Sequence, residues 1–347
     1  MASLKFTEKV FGTLCDGTEC KLFTISNGTM SFSCTDYGCT LTSIIIPSKN
    51  KKVDALMGCS TLADCVTSMS SYGTVVGRFA NRIGGAKFTL NGTTYNLCDN
   101  DGGNTLHGGY DRYEKKVYSA RKIKTKNGLG VEFTRFSPDG EQLMPGNVQL
   151  KIIYTLNEKN ELTLEYFAQT DRPTPVNLTN HAYFNIKGYD GGSVEDLELN
   201  LNSSNYVEVD QHCIPTGKIN SVKDNPDFDF TQGKLIGKDI KNVGIGYDHA
   251  FCVDGYDGSI KSFGVLKDND AKVSMEVLTT LPAVQIYTAN HAEGAVGKNG
   301  YVHHAHDAVC LESEDYPDAP NHENFPNCIV TPEKPYHSLT VYKFGFN

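Results

Sequence analysis

Tryptophan is absent from the 347-residue chain, so its 18 tyrosines and 17 phenylalanines must supply the large packing surfaces and any ring that stacks on a ligand. No uninterrupted apolar run approaches the roughly 20 residues a membrane-spanning helix needs. The amino-terminal stretch MASLKFTEKVFGTL fails as a secretory signal, because Lys5 and Glu8 fall inside what would have to be its apolar core. The eleven cysteines are odd in number and contain no C-x-x-C pair, a pattern that fits reduced thiols in the cytosol better than a disulfide framework or a zinc site. Sequons at Asn27, Asn91, Asn177 and Asn202 carry no meaning in such a chain. No G-x-G-x-x-G opens a helix after a strand, and Walker, G-x-S-x-G and H-E-x-x-H patterns are missing as well. Dinucleotide binding, P-loop chemistry, serine hydrolysis and zincin chemistry lose their signatures together. A formal charge of −9 disfavours nucleic acid and anionic membrane as partners but leaves neutral small molecules open.

Helical periodicity is also scarce. Ser60 is the expected cap of a short turn through TLADCV, and little else holds a 3.6-residue repeat. Strand signals fill the gap. Asn27-Gly28, Asn91-Gly92 and Asn127-Gly128 each separate two alternating segments, which predicts type I′ hairpins because that turn needs positive φ at both central residues. A longer turn, Asn157 to Asn160, joins VQLKIIYTL to ELTLEYFAQ. Val148, Leu150, Ile152, Tyr154 and Leu156 share one face of the first strand, and Leu162, Leu164, Tyr166 and Ala168 one face of the second. With no linker, composition break or fixed-period repeat, the expectation is an all-β chain forming a single domain over residues 1–347, a large antiparallel β-sandwich. Loops rich in Gly, Asp and Asn, Asp99 to Gly109 and Asp315 to Asn327, are the expected carriers of binding groups.

Five segments hold chemistry. VNLTNHAYFNI, Val176 to Ile186, reads as one strand whose apolar side carries Val176, Leu178, Ala182, Phe184 and Ile186, with Asn180 intruding. Its other side presents Asn177, Thr179, His181, Tyr183 and Asn185, either a plain solvent face or a rigid platform for a polar ligand. GRFANRI offers Arg78, Asn81 and Arg82, donors for hydroxyl and ring oxygens or surface ion-pairing groups. GGNTLHGG sets His107 between glycine pairs that let backbone approach a ligand. In GYDHAF, Asp248 either forms a turn or accepts from two hydroxyls. LPAVQIYTAN places Gln285 on the face of Ala283 and Tyr287, and AVCLESEDYPDAPN places Glu312 with Cys310 and Glu314. A carboxylate after the apolar run AVCL is expected to be partly buried, which raises its pKa and strengthens it as a base. His303, His304 and His306 cluster in sequence, but without nearby cysteine or a second histidine pair they read as loop histidines rather than metal ligands.

Taken in order with SPDGEQ (Ser137 to Gln142) and the closing LTVYKF, these segments resemble the galactose mutarotase (aldose 1-epimerase) family over nearly the whole chain. The resemblance implies a cytosolic enzyme without cofactor or metal, working on an aldohexose in an open cleft, as a monomer or weak dimer. It implies Glu312 as general base and His181 as general acid. Asn81, Arg82, His107, Tyr183, Asp248 and Gln285 match the positions that hold the sugar's oxygens. Glu314 departs from the family, where glutamine is common, and a second carboxylate on the same strand face should raise the pKa of Glu312.

The implied reaction opens and recloses the hemiacetal, exchanging α and β anomers. Ordinary values near 4.3 for Glu and 6.5 for His leave a working window between them, wider if neighbours raise the histidine. On that assignment Glu314→Gln moves the acidic limb of the pH profile downward. Rival readings are a hexose-6-phosphate epimerase, for which Arg78 is the spare cation, a non-catalytic sugar-binding protein, and a glycoside hydrolase pairing Asp248 with Glu312.

Overall fold

The computed structural model describes residues 4–67, 69 and 71–346. Strands dominate, and every pairing between them is antiparallel. A five-stranded meander runs in chain order through Lys5–Thr13, Glu19–Ser26, Ser31–Thr35, Leu41–Ser48 and Lys51–Asp54. A nine-stranded sheet has Val148–Leu156, Glu161–Thr170, Tyr336–Phe346 and Val273–Thr279 as central neighbours. A seven-stranded sheet is ordered Pro215–Ser221, Asn205–Val209, Asp248–Cys252, Ala283–Tyr287, Val309–Glu314, Tyr183–Phe184, Leu56–Met57. One hydrophobic core joins all three: Phe32 and Ile44 from the meander, Tyr166 and Tyr342 from the nine-stranded sheet, Val284 and Leu311 from the seven-stranded one. The Tyr342 hydroxyl donates to the Leu311 carbonyl at 3.1 Å, so a polar tip is satisfied at the seam of two sheets.

The shared faces expected in the 148–168 hairpin hold, although Ile153, Thr155 and Thr163 on the other side are buried too. Val148, Leu150, Ile152, Tyr154 and Leu156 are fully buried, and so, to within 1 %, are Leu162, Leu164, Tyr166 and Ala168. The hairpin turns are less uniform. Asn91 and Gly92 both take positive φ, 51° and 77°, as a type I′ turn requires. Asn27 instead opens a four-residue connection, with Ser26 paired to Ser31, and its side-chain oxygen accepts from the amides of Thr29 and Met30. At Asn127-Gly128 the turn falls one residue earlier than expected, with Thr125 opposite Gly128, so the central residues are Lys126 and Asn127.

Three further expectations need correction. The stretch 176–186 is not one strand. It forms two short pairings, Thr179–Asn180 against Val75–Val76 and Tyr183–Phe184 against both Val309–Cys310 and Leu56–Met57. The facing survives the break, since Val176, Leu178, Ala182, Phe184 and Ile186 are all in the core. Asparagine side chains hold the broken backbone: Asn177 Oδ1 accepts from Asp315 N, Asn180 Nδ2 donates to the Gly73 carbonyl, and Asn185 Nδ2 donates to the Asp307 carbonyl. The helix Leu62–Val66 is capped by Thr61 rather than Ser60, through a reciprocal capping box with Asp64. Cys59 and Cys65 form a disulfide across that helix, so the thiols are not all reduced, although nine others are free. His303 lies in a loop, as expected, and is fully buried there. Among the described residues no helix is long and apolar enough to cross a membrane.

Candidate active site

The cleft lies on the face of the seven-stranded sheet opposite the core. Along Val309–Glu314, Val309 and Leu311 point into the core while Cys310, Glu312 and Glu314 point the other way. Across the ladder, Gln285 stands opposite Glu312, Tyr287 opposite Cys310 and Asp248 opposite Tyr287. Tyr183 pairs with Cys310 on the other side. Loops complete the wall. Asn81 and His107, with φ of 64° and 55°, clasp each other: Asn81 N donates to His107 Nδ1 at 3.1 Å, and His107 N donates to the Asn81 carbonyl at 3.0 Å.

The resulting cavity of about 220 Å³ is lined by the eight residues that the family resemblance implicated: Asn81, Arg82, His107, His181, Tyr183, Asp248, Gln285 and Glu312. Gln285 Nε2 donates to Asp248 Oδ1 at 2.6 Å. Arg82 donates from Nε to Asp101 Oδ2 at 2.9 Å and stands 3.7 Å from Asp248 Oδ2. His181 is clamped by aromatic rings: Tyr183 stacks on it with centroids 4.9 Å apart and planes 11° apart, and Tyr72 stacks on Tyr183 at 4.1 Å.

Two residues face each other across the floor. His181 Nε2 is 3.6 Å from Glu312 Oε1, and both are buried. Burial pushes the Glu312 carboxyl well above the usual range, the neighbouring Glu314 adds to the shift, and Arg82 opposes it. Glu314 is raised too, chiefly by burial, although Asn81 Nδ2 donates to its Oε1 at 2.9 Å. Burial lowers His181 to about 4, and holds His107 well below the ordinary histidine value. The histidine therefore does not keep or gain basicity as expected. The carboxylic acid and the imidazole are shifted toward their neutral forms, in opposite directions.

The floor is thus a buried acid and a buried imidazole beneath a cleft of polar side chains. The family model described as aldose 1-epimerase matches residues 21–343. The chain belongs to the aldose 1-epimerase family. This epimerase is 36% identical over 343 residues to the galactose mutarotase of Bos taurus, covering 98% of both chains. It is 34% identical over 339 residues to the aldose 1-epimerase of Escherichia coli (strain K12), covering 95% of this chain and 96% of that protein. Among solved structures, the galactose 1-epimerase of Lactobacillus acidophilus NCFM superposes with a TM-score of 0.86 at 26% identity, over 99% of this chain and 100% of that one.

One candidate is not in the epimerase cleft. Arg78 is fully buried in the scaffold, neither a ligand-facing donor nor a surface ion-pairing group. Its guanidinium donates to the carbonyls of Pro145 and Gly146 at 2.8 and 3.0 Å and to Ser137 Oγ at 2.7 Å. Of the polar side of 176–186, Asn177 and Asn185 serve backbone, and only His181 and Tyr183 reach the cavity. Ser71, Leu106, Arg112, Tyr287 and His291 also line it. Tyr287 was within reach of strand alternation, being two residues from Gln285. Arg112 lies just beyond the His107 loop, where its Nη1 is 3.3 Å from the buried Glu114 carboxylate. Ser71 and His291 sit in irregular segments that carry no periodic signal.

His303, His304 and His306 do not converge on one ion: His304 pairs with Glu293 at 3.0 Å, and His306 Nδ1 faces the Thr288 carbonyl at 3.0 Å. Donor atoms of His181, Cys310 and Glu312 do lie within 4.8 Å of one another. The sulfur, however, addresses Nδ1 and the carboxylate Nε2 of the same ring, so sharing one ion requires the imidazole to leave its stack.

Proposed function

We propose that this chain interconverts the α and β anomers of free aldohexoses, galactose and glucose among them, with Glu312 and His181 as the proton-exchanging pair. The observation that carries the reading is their 3.6 Å approach at the floor of a cavity sized for one sugar ring. Glu312 takes the proton of the C1 hydroxyl while imidazolium His181 gives its Nε2 proton to the ring oxygen. The bond from C1 to the ring oxygen breaks and C1 becomes a carbonyl. After rotation about C1–C2, the hydroxyl attacks the opposite face of the carbonyl and both protons return. Nothing is oxidised, and no outside reagent is consumed.

The pair carries one proton throughout. With the sugar closed it is His181⁺ and Glu312⁻; with the sugar open it is neutral His181 and protonated Glu312. The burial shifts favour the neutral arrangement in the empty cleft, so Arg82 and the sugar's own hydroxyls must offset the cost of the charged one. Arg82, His107, Asn81, Asp248, Gln285 and the Tyr183 ring hold the hexose in place by hydrogen bonding and contact.

The pH dependence follows from the proton count. On the acid side activity falls as His181, lowered to about 4, takes up a second proton. On the alkaline side it falls as the last proton leaves Glu312, whose value lies above the ordinary carboxylate range. The order of the two limbs is thus the reverse of what ordinary values of the two groups would give. Polarimetry of freshly dissolved α-galactose and α-glucose tests the reading, and glucose 6-phosphate serves as the comparison. Acceleration of the free sugars supports it; binding without acceleration makes the protein a sugar binder. A phosphate reading loses the Arg78 guanidinium, which is locked into the scaffold.

A further inference from the structure

We propose that Cys310 is a positioning residue for this pair: its sulfur keeps the proton of neutral His181 on Nδ1, leaving the Nε2 lone pair turned to Glu312 and the sugar. The inference rests on the proton exchange proposed above and adds a group to it. Cys310 Sγ lies 3.5 Å from His181 Nδ1, with the thiol fully buried. Which nitrogen of a histidine carries the proton is set by what the other nitrogen meets. Here the two ring nitrogens meet two residues of one strand, Cys310 at Nδ1 and Glu312 at Nε2, both on the outward face of Val309–Glu314. The stack of Tyr72, Tyr183 and His181 opposes a turn of the ring that would exchange these contacts.

The reaction needs this arrangement. In the half-reaction that recloses the sugar, neutral His181 must accept a proton at Nε2, which requires a free lone pair there. A neutral histidine side chain in water prefers the opposite tautomer, so a partner at Nδ1 has to reverse the preference. A carboxylate at that position would do so but would also stabilise the imidazolium and make it a poorer acid. A thiol that burial keeps protonated adds no charge, and because the raised Glu312 carboxyl faces Nε2 and can donate there, the sulfur at Nδ1 is left as a weak acceptor. It orients the ring without raising its basicity.

Proton placement is read directly by NMR of the ¹⁵N-histidine-labelled protein, without substrate, near neutral pH. The wild type is expected to show His181 protonated on Nδ1 with Nε2 bare. Cys310→Ser, which keeps an acceptor, retains that pattern. Cys310→Ala moves His181 toward the Nε2–H form, and kcat falls by about tenfold with KM little changed, the scale on which partners that orient histidine act. A wild-type His181 carrying its proton on Nε2, or an unchanged tautomer in Cys310→Ala, overturns the proposal. Should Cys310→Ala fail to fold, the wild-type spectrum still decides. A protein that keeps the Nδ1–H form but does not accelerate mutarotation would refute the function and leave the tautomer assignment standing.

Discussion

The two faces of the Val309–Glu314 strand are both buried, yet they are buried for different ends. On the inner face Leu311 belongs to the hydrophobic core, and its carbonyl accepts from the Tyr342 hydroxyl. On the outer face Glu312 is 3% exposed, next to a second buried carboxylate. Burial on the inside removes apolar surface from water and stabilises the fold. Burial on the outside opposes ionisation of an acid and, on the proposed mechanism, supplies its proton-exchanging group.

Exchanging the chemistry of the two faces separates these roles. Glu312→Gln should lower kcat/KM by about 10²–10⁴-fold or more, the usual contribution of a positioned acid or base, and leave the melting temperature unchanged or higher. His181→Asn should lose activity on the same scale, both measured by polarimetry beside a thermal melt. If either variant kept near-full activity, the outer face would be a wall rather than a catalyst. Leu311→Ala, one residue from Glu312, should instead cost about 2–5 kcal/mol of stability in denaturant titration, while the folded fraction keeps its KM. Arg78→Ala should behave as an inner-face change although it sits in a site motif. Loss of its bonds to the Pro145 and Gly146 carbonyls predicts a destabilisation of about 2–3 kcal/mol without a shift in the pH profile.

The subtlest test concerns Glu314. Its charge contributes to holding Glu312 up, so Glu314→Gln should lower the Glu312 value and move the alkaline limb of the kcat/KM profile downward, leaving the acid limb in place. This replaces the acid-limb shift expected from unperturbed values, because burial inverts the order in which the two groups titrate. An unmoved alkaline limb would show that the two carboxylates do not interact.

Much of this was legible because period-two alternation tells which residues share a face even when it misjudges the strand. The stretch 176–186 breaks into two pairings, yet its core residues and His181 and Tyr183 stay on the expected sides. Arg78 was misplaced because an arginine's fork serves carbonyls as well as it serves hydroxyls, and only tertiary packing decides between them. Arg112, Ser71 and His291 were missed because they arrive on loops, where no periodicity links sequence to direction. The Cys59–Cys65 pair was invisible to spacing rules, being six residues apart across one turn of helix.

That the central groups are cross-strand neighbours has a consequence for how the gene can vary. Gln285 and Glu312 face the cavity only because their hairpin is paired in one frame. Deleting a single codon between Val309 and Leu311 would turn the carboxylate inward and a leucine outward, whereas length changes in the loop after Asp315 leave the frame untouched. Indels, more than substitutions, should therefore be what this hairpin cannot absorb.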